Sequence, residues 1–149
     1  MRRASRGYGL ALCLAAVVFV ADQASKWFVR DSAADLPYDV GGGLRLEIAY
    51  NSGISFSRFA DAGNVVVLLV AAVVVGVTAA IVMSAPRYRP ALGLILGGAL
   101  SNLCDRLRYD GAVLDFVRVY GWPSFNIADG FIVAGTVLLA LQVLRGHRA

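Results

Sequence analysis

The chain has 149 residues, 58% of them hydrophobic and only 16% charged, with a formal net charge of +4 and a mean hydropathy of +0.67. That length bounds it to one domain, and the composition is too apolar for a water-soluble globular domain, which points to the membrane class. Two cysteines make no disulfide framework, the single His147 makes no Cys/His zinc cluster, and no glycine-rich phosphate loop follows a strand.

In chain order, a basic start (Arg2, Arg3, Arg6) precedes the apolar run Tyr8 to Val20. That run is too short for ~30 Å of hydrocarbon, which takes about 20 residues, so the predicted helix continues to Val29. Asp22 and Lys26 are four apart on one face, in the favourable order for a pair. Trp27 and Phe28 suit an interfacial belt. A cleavable signal peptide is the rival reading, and three further spans downstream favour an uncleaved first one. Residues 31 to 63 form the longest stretch outside the spans. It opens as a loop ending in Gly41-Gly42-Gly43. Leu44 to Tyr50 then alternates, with Leu44, Leu46, Ile48 and Tyr50 on one face, as a half-buried strand does. Asn51-Ser52-Gly53 is a turn signal, and Ile54 to Phe56 is a candidate second short strand.

Asn64 to Met83 carries no charge and is the clearest span. A short basic loop with Arg87 and Arg89 leads to a third span, 91 to 106, in which Gly93 and Gly97 give a small-residue face for close helix packing. Leu107 to Phe125 is a connection with a short strand or interfacial segment around Val113 to Val117. The fourth span is 126 to 144; its nineteen residues, at about 1.5 Å each, reach roughly 28 Å.

Four spans place both termini and the Ser84–Pro90 loop on one side of the membrane. Those short segments hold seven of the fourteen Lys and Arg residues, while all ten acids fall on the other side. By the positive-inside rule the basic segments are cytoplasmic. The pI of about 9.4 is thus a topology signal and leaves no reason to expect nucleic acid as a partner. The expected fold is an α-helical integral membrane protein: four transmembrane helices, a small β-rich extracytoplasmic insertion after the first, and both termini cytoplasmic, forming one membrane-embedded domain.

Polar groups collect at one level of this frame. Asn102, Asp105 and Arg106 share a face at the outer end of the third span, Asn126 and Asp129 share one at the start of the fourth, and Asp22 and Lys26 lie at the outer end of the first. Ionisable groups at a bilayer edge are a functional hypothesis by default. Each also has a plainer role. Asn126 and Asp129 have the spacing of a helix cap followed by a first-turn carboxylate, and Asp105-Arg106 can form an ion pair with Asp22-Lys26. Asp115 is harder to explain this way, because it interrupts the apolar run Ala112 to Val117 and has no basic neighbour before Arg118. A close pair, Asp115 with Asp129, would share a proton and act as general base and general acid on a peptide bond without metal or cofactor. The positive end of the helix beneath Asp129 makes Asp115 the expected proton carrier.

At these residues the chain resembles the lipoprotein signal peptidases, or signal peptidase II. Asp22-Gln23 with Lys26 is similar to that family's D-Q-x-x-K, and Asn51-x-Gly53-x-x-Phe56 to N-x-G-x-A-F. Gly97-Gly98-Ala99 with Asn102-x-x-Asp105-Arg106 is similar to G-G-A-x-G-N-x-x-D-R, Gly111-x-Val113-x-Asp115-Phe116 to G-x-V-x-D-F, and Phe125-Asn126-x-Ala128-Asp129 to F-N-x-A-D. The resemblance covers nearly the whole chain. It implies that Asp115 and Asp129 are the catalytic pair. It further implies that Asp22, Lys26, Asn51, Gly53, Asn102, Asp105, Arg106, Asn126 and Ala128 bind substrate or support the site. The implied substrate is a diacylglyceryl-modified prolipoprotein cut on the N-terminal side of its lipidated cysteine, in a bacterial inner membrane, by a monomeric enzyme surrounded by lipid, with the site on the extracytoplasmic side. Ser101 stands where the family usually has Gly and Ser55 where it has Ala; the Ser101 hydroxyl is expected to bond the Gly97 carbonyl one turn back. Two alternatives belong to other classes. A non-catalytic binder of lipidated or signal peptides has no need of two acids in an apolar site. A small transporter or channel subunit needs polar groups at mid-membrane depth, and none lies between Asn64 and Thr78.

Overall fold

The computed structural model describes residues 2–52 and 62–146, with four helices and a small sheet. The helices are α1 (Arg2–Asp31), α2 (Ala62–Met83), α3 (Arg89–Arg108) and α4 (Ile127–Gly146). The strands are β1 (Tyr38–Gly41), β2 (Leu44–Asn51) and β3 (Val113–Val119), antiparallel in the order β1-β2-β3. The expected strand from Ile54 to Phe56, Gly53 and Ser55 lie outside the described residues.

Among the described residues, three helices are long and apolar enough to cross a membrane: α1 from Gly7, α2 from Asn64, and α4. The expected third span, 91 to 106, falls within α3, which has the length but not the composition. It carries Arg89, Asn102, Asp105, Arg106 and Arg108 along its 20 residues. This helix can be polar because the other three helices pack around it. Ala91, Leu92, Leu96 and Ala99 are buried on it, together with Ser101, Asn102 and Asp105. By contrast α2 turns Leu68, Leu69, Val73 and Val75 outward, as a helix facing lipid tails does.

The packing is close because of small residues. A Cβ built on Gly93 would lie 2.4 Å from the Ala11 carbonyl oxygen, and one on Gly97 2.5 Å from that of Ala15, so α1 lies directly on α3. Gly98 meets α4 in the same way, at 2.7 Å from the Ala128 oxygen, and Gly135 on α4 meets Ala91 at 2.8 Å. Gly97→Ala is therefore expected to force the helices apart and to cost about 1–3 kcal/mol, read as a lower thermal midpoint in detergent. At the opposite end Arg89 is buried. It donates to the carbonyls of Ile81 (3.2 Å) and Ser84 (3.1 Å), and its guanidinium lies 3.6 Å from the centre of the Tyr8 ring. A cation is favourable at these last carbonyls of α2, and the three helices are tied there.

The sheet caps the other end. The turn between β1 and β2 holds Gly41, Gly42 and Gly43 at φ of 95°, 65° and 83°, a left-handed path that suits glycine. β2 pairs with β3 in a register that sets Ala49 opposite Asp115 and Asn51 opposite Val113. Beneath it, Val29, Leu114 and Phe116 are buried, with Leu36, Leu46, Ile48 and Ile127 packed against them. This apolar cluster fixes β3, and so Asp115, over the ends of α1, α3 and α4.

Candidate active site

Asp22, Asp105 and Asp115 are each no more than 1% exposed, a depth at which an unpartnered carboxylate is prohibitively costly. Every oxygen of these three has a donor. Lys26 Nζ lies 2.5 Å from Asp22 Oδ2 and 2.8 Å from Asp105 Oδ2. Asp22 Oδ1 accepts the Ala128 backbone N–H at 2.8 Å. Asp105 Oδ2 accepts the Leu114 N–H at 3.1 Å, and Asp105 Oδ1 accepts Gln23 Nε2 at 2.9 Å. The expected pairing of α1 with α3 is present, but Arg106 takes no part in it. Its Nη1 donates to the Asn102 carbonyl of its own helix (3.2 Å), and its Nε has no hydrogen-bond partner among the described residues. The reason is occupancy: Lys26, Leu114 and Gln23 already fill the Asp105 carboxylate.

Above this cluster lie the other two acids. Asp115 Oδ1 accepts Asn126 Nδ2 at 2.7 Å, and Asp115 Oδ2 accepts Asn51 Nδ2 at 2.9 Å. The Asp129 Oδ1 atom accepts Asn102 Nδ2 at 2.8 Å, while Asp129 Oδ2 accepts the Asn126 backbone N–H at 3.2 Å. Asn126 Oδ1 in turn accepts the Asp129 N–H at 3.0 Å, a reciprocal cap at the start of α4. Asn126 is thus both the expected cap and the link between the acids: one side chain bonds Asp115 while its backbone bonds Asp129. Neither asparagine amide can flip freely. Asn102 Oδ1 accepts from Lys26 Nζ (3.4 Å) and Asn126 Nδ2 (3.1 Å), which turns its NH₂ toward Asp129.

Burial, first, and then the negative charge of Asp129 push the Asp115 carboxyl up to about 6 from an ordinary 3.8, against the lowering effect of the Asn51 and Asn126 amides. Arg118, the nearest base in sequence, is bonded instead to Glu47 at 3.0 Å. Asp115 therefore carries a proton under mildly acidic conditions, and Asp129, half-buried, is near enough for its charge to act on it. Two carboxyls joined through one asparagine, one holding a proton, can pass that proton to and from a bound substrate.

Residues 14–145 match the family model described as signal peptidase (SPase) II. The chain belongs to the signal peptidase II family. By that membership it is a protease. It is 38% identical over 139 residues to the lipoprotein signal peptidase of Moorella thermoacetica, covering 89% of this chain and 91% of that one. It is 35% identical over 152 residues to that of Pseudomonas aeruginosa, covering 93% and 89%. Two solved structures titled as a bacterial membrane enzyme by the in meso method, at 1.9 and 2.3 Å resolution, are similar in fold. Their TM-scores are 0.81 and 0.78, at 23% identity, with 91% and 92% of this chain covered and 93% and 88% of theirs.

Against the family's motifs, the structure brings together Asp22, Lys26, Asn51, Asn102, Asp105, Asp115, Asn126, Ala128 and Asp129. It leaves Arg106 at the edge, and Gly53 is outside the described residues. Two further members emerge. Gln23 Nε2 reaches Ser101 Oγ at 3.0 Å as well as Asp105, and Ser101 Oγ donates to Asp22 Oδ2 at 2.7 Å. The expected bond from Ser101 to the Gly97 carbonyl is replaced by this one, because a buried carboxylate is the stronger acceptor. The sequence signal for Gln23 was its place in D-Q-x-x-K; spacing alone gives it no partner.

Proposed function

We propose that this chain is an aspartic endopeptidase of a bacterial inner membrane. It removes signal peptides from diacylglyceryl-modified prolipoproteins by cutting on the N-terminal side of the lipidated cysteine. The observation that carries this assignment is the Asn126 bridge, which holds Asp115 and Asp129 to one residue at the mouth of the helix bundle. The basic short segments at the other end support a site on the extracytoplasmic side. A lipid-anchored cysteine sits at the membrane surface, the level at which these helix ends converge.

The chemistry follows from one proton on the pair. Asp129, ionised, takes a proton from a water as its oxygen adds to the scissile carbonyl carbon, and Asp115 gives its proton to the carbonyl oxygen. The resulting gem-diol collapses: Asp129 protonates the departing cysteine amine as the C–N bond breaks, and Asp115 recovers a proton from a diol hydroxyl. The pair ends as it began. Asn51, Asn102 and Asn126 orient the two carboxyls throughout.

The test is a pH profile. The free enzyme needs one proton on the pair, so kcat/KM is expected to fall as pH rises through about 6, where Asp115 loses it. Stability follows the same sign. The folded-state value lies above the ordinary 3.8, so the contribution of Asp115 is fully present below about 3.8 and is lost as pH rises through about 6. Asp115→Asn flattens this part of the stability curve. A kcat/KM that stays level through this range contradicts the assignment.

A further inference from the structure

Each of the two acids follows a residue whose backbone N–H is held by a buried carboxylate. Leu114, before Asp115, donates to Asp105, and Ala128, before Asp129, donates to Asp22. The distance between Asp22 and Asp105 therefore governs how β3 and the start of α4 sit relative to each other. Lys26 joins those two carboxylates at their Oδ2 atoms. A single ammonium is a pivot, since its three donors are symmetric about a rotatable bond and impose no fixed angle. A second connection runs around the other side. Ser101 Oγ donates to Asp22 Oδ2 (2.7 Å), Gln23 Nε2 donates to Ser101 Oγ (3.0 Å), and the same Nε2 donates to Asp105 Oδ1 (2.9 Å). The ring Asp22–Lys26–Asp105–Gln23–Ser101 is closed, and Ser101 is fully buried within it.

We propose that Ser101 and Gln23 form a second, uncharged clamp that fixes the spacing of Asp115 and Asp129, making both positioning residues for the peptidase reaction. The proposal rests on the aspartic assignment above. A side chain at position 101 that lacks the hydroxyl leaves Lys26 as the side chain that still joins Asp22 to Asp105 directly, with Gln23 Nε2 kept on Asp105 Oδ1 and on the Ser101 carbonyl (3.4 Å), so the spacing of the two carboxylates loosens and the segments carrying the two acids loosen with it. Small misplacements of reacting groups are costly to rate but not to binding.

The experiment is a comparison of wild type, Ser101→Ala, Gln23→Leu and the double variant, with Asp115→Asn and Asp129→Asn as references, on a diacylglyceryl-modified prolipoprotein in detergent. Each single variant is expected to lower kcat by about tenfold and to change KM less than twofold. The two limbs of the pH–rate profile move toward each other, because coupling between the carboxyls weakens as their spacing loosens. The charged groups facing the pair, Asp22 and Lys26 from α1 and Asp105 and Arg106 from α3, are unchanged in every clamp variant, so they do not account for the movement. The double variant is no slower than the slower single one, since both remove one clamp. If Ser101→Ala does not fold, Gln23→Leu decides alone, because it removes the clamp without altering α3. Wild-type kcat and limbs in the folded variants, with Asp115→Asn and Asp129→Asn dead, overturn the clamp and leave the aspartic assignment standing. Active Asp115→Asn or Asp129→Asn overturns both. A lower thermal midpoint with kcat and limbs unmoved shows a merely structural role and also overturns the clamp.

Discussion

Asp115→Asn and Asp129→Asn are each expected to lower kcat by at least about a thousandfold while leaving substrate binding within a few-fold of wild type. General acid–base groups contribute about 10²–10⁴ each, and members of one catalytic unit are not additive, so the double variant is no worse than either single one. The substitutions keep the volume. Asn126 offers its NH₂ to Asp115 Oδ1 and its backbone N–H to Asp129 Oδ2, and the side-chain oxygen of an introduced asparagine still accepts such a bond. What is lost is the ability to carry a proton and one acceptor, since the introduced NH₂ faces the Asn51 amide at position 115 or the Asn102 amide at position 129. Fluorescence polarisation of a labelled lipopeptide, measured beside turnover, separates the two quantities.

Lys26→Met carries the largest expected loss of stability. Among the described residues its ammonium is the one cation bonded to the buried Asp22 and Asp105. Removing one partner of a buried ion pair costs about 3–5 kcal/mol, because the charge left behind remains desolvated. Here two carboxylates are left behind, facing each other across the vacated space. Thermal unfolding in detergent is expected to show a clear fall in midpoint and loss of activity. Adding Asp105→Asn to Lys26→Met removes one of the stranded charges and is expected to recover part of the midpoint. A Lys26→Met protein as stable as wild type contradicts the role given to this cluster.

The elements most legible in the sequence are those whose cause is local. Val and Ala repetition without charge marks α2, and strict alternation marks β2, which runs one residue beyond the expected Leu44 to Tyr50. Helical spacing places Asp22 with Lys26 and Asn126 with Asp129, and both pairs meet. β1 is not legible, because its four residues are all exposed and end in glycine; only pairing with β2 makes it a strand. Helical spacing also shows which groups share a face without showing which neighbour's lone pairs are already taken. It therefore leads to Arg106 in the ion cluster, where Gln23 and Leu114 fill the Asp105 carboxylate instead. Arg89 teaches a similar lesson: counted as one more basic residue of a short loop, it is buried at the end of α2 and holds three helices together. The approach of Asp115 to Asn126 and Asn51 joins β3 to the residue before α4 and to the end of β2, and only the family's motifs draw them together in advance.

The most direct measurement is the mass of the peptide released when the purified protein meets a diacylglyceryl-modified prolipoprotein, with wild type beside Asp115→Asn and Asp129→Asn. Wild type is expected to release a peptide ending at the residue before the lipidated cysteine, and both folded variants to release none. Release of the same peptide by either variant at the wild-type rate would contradict a mechanism built on these two carboxyls.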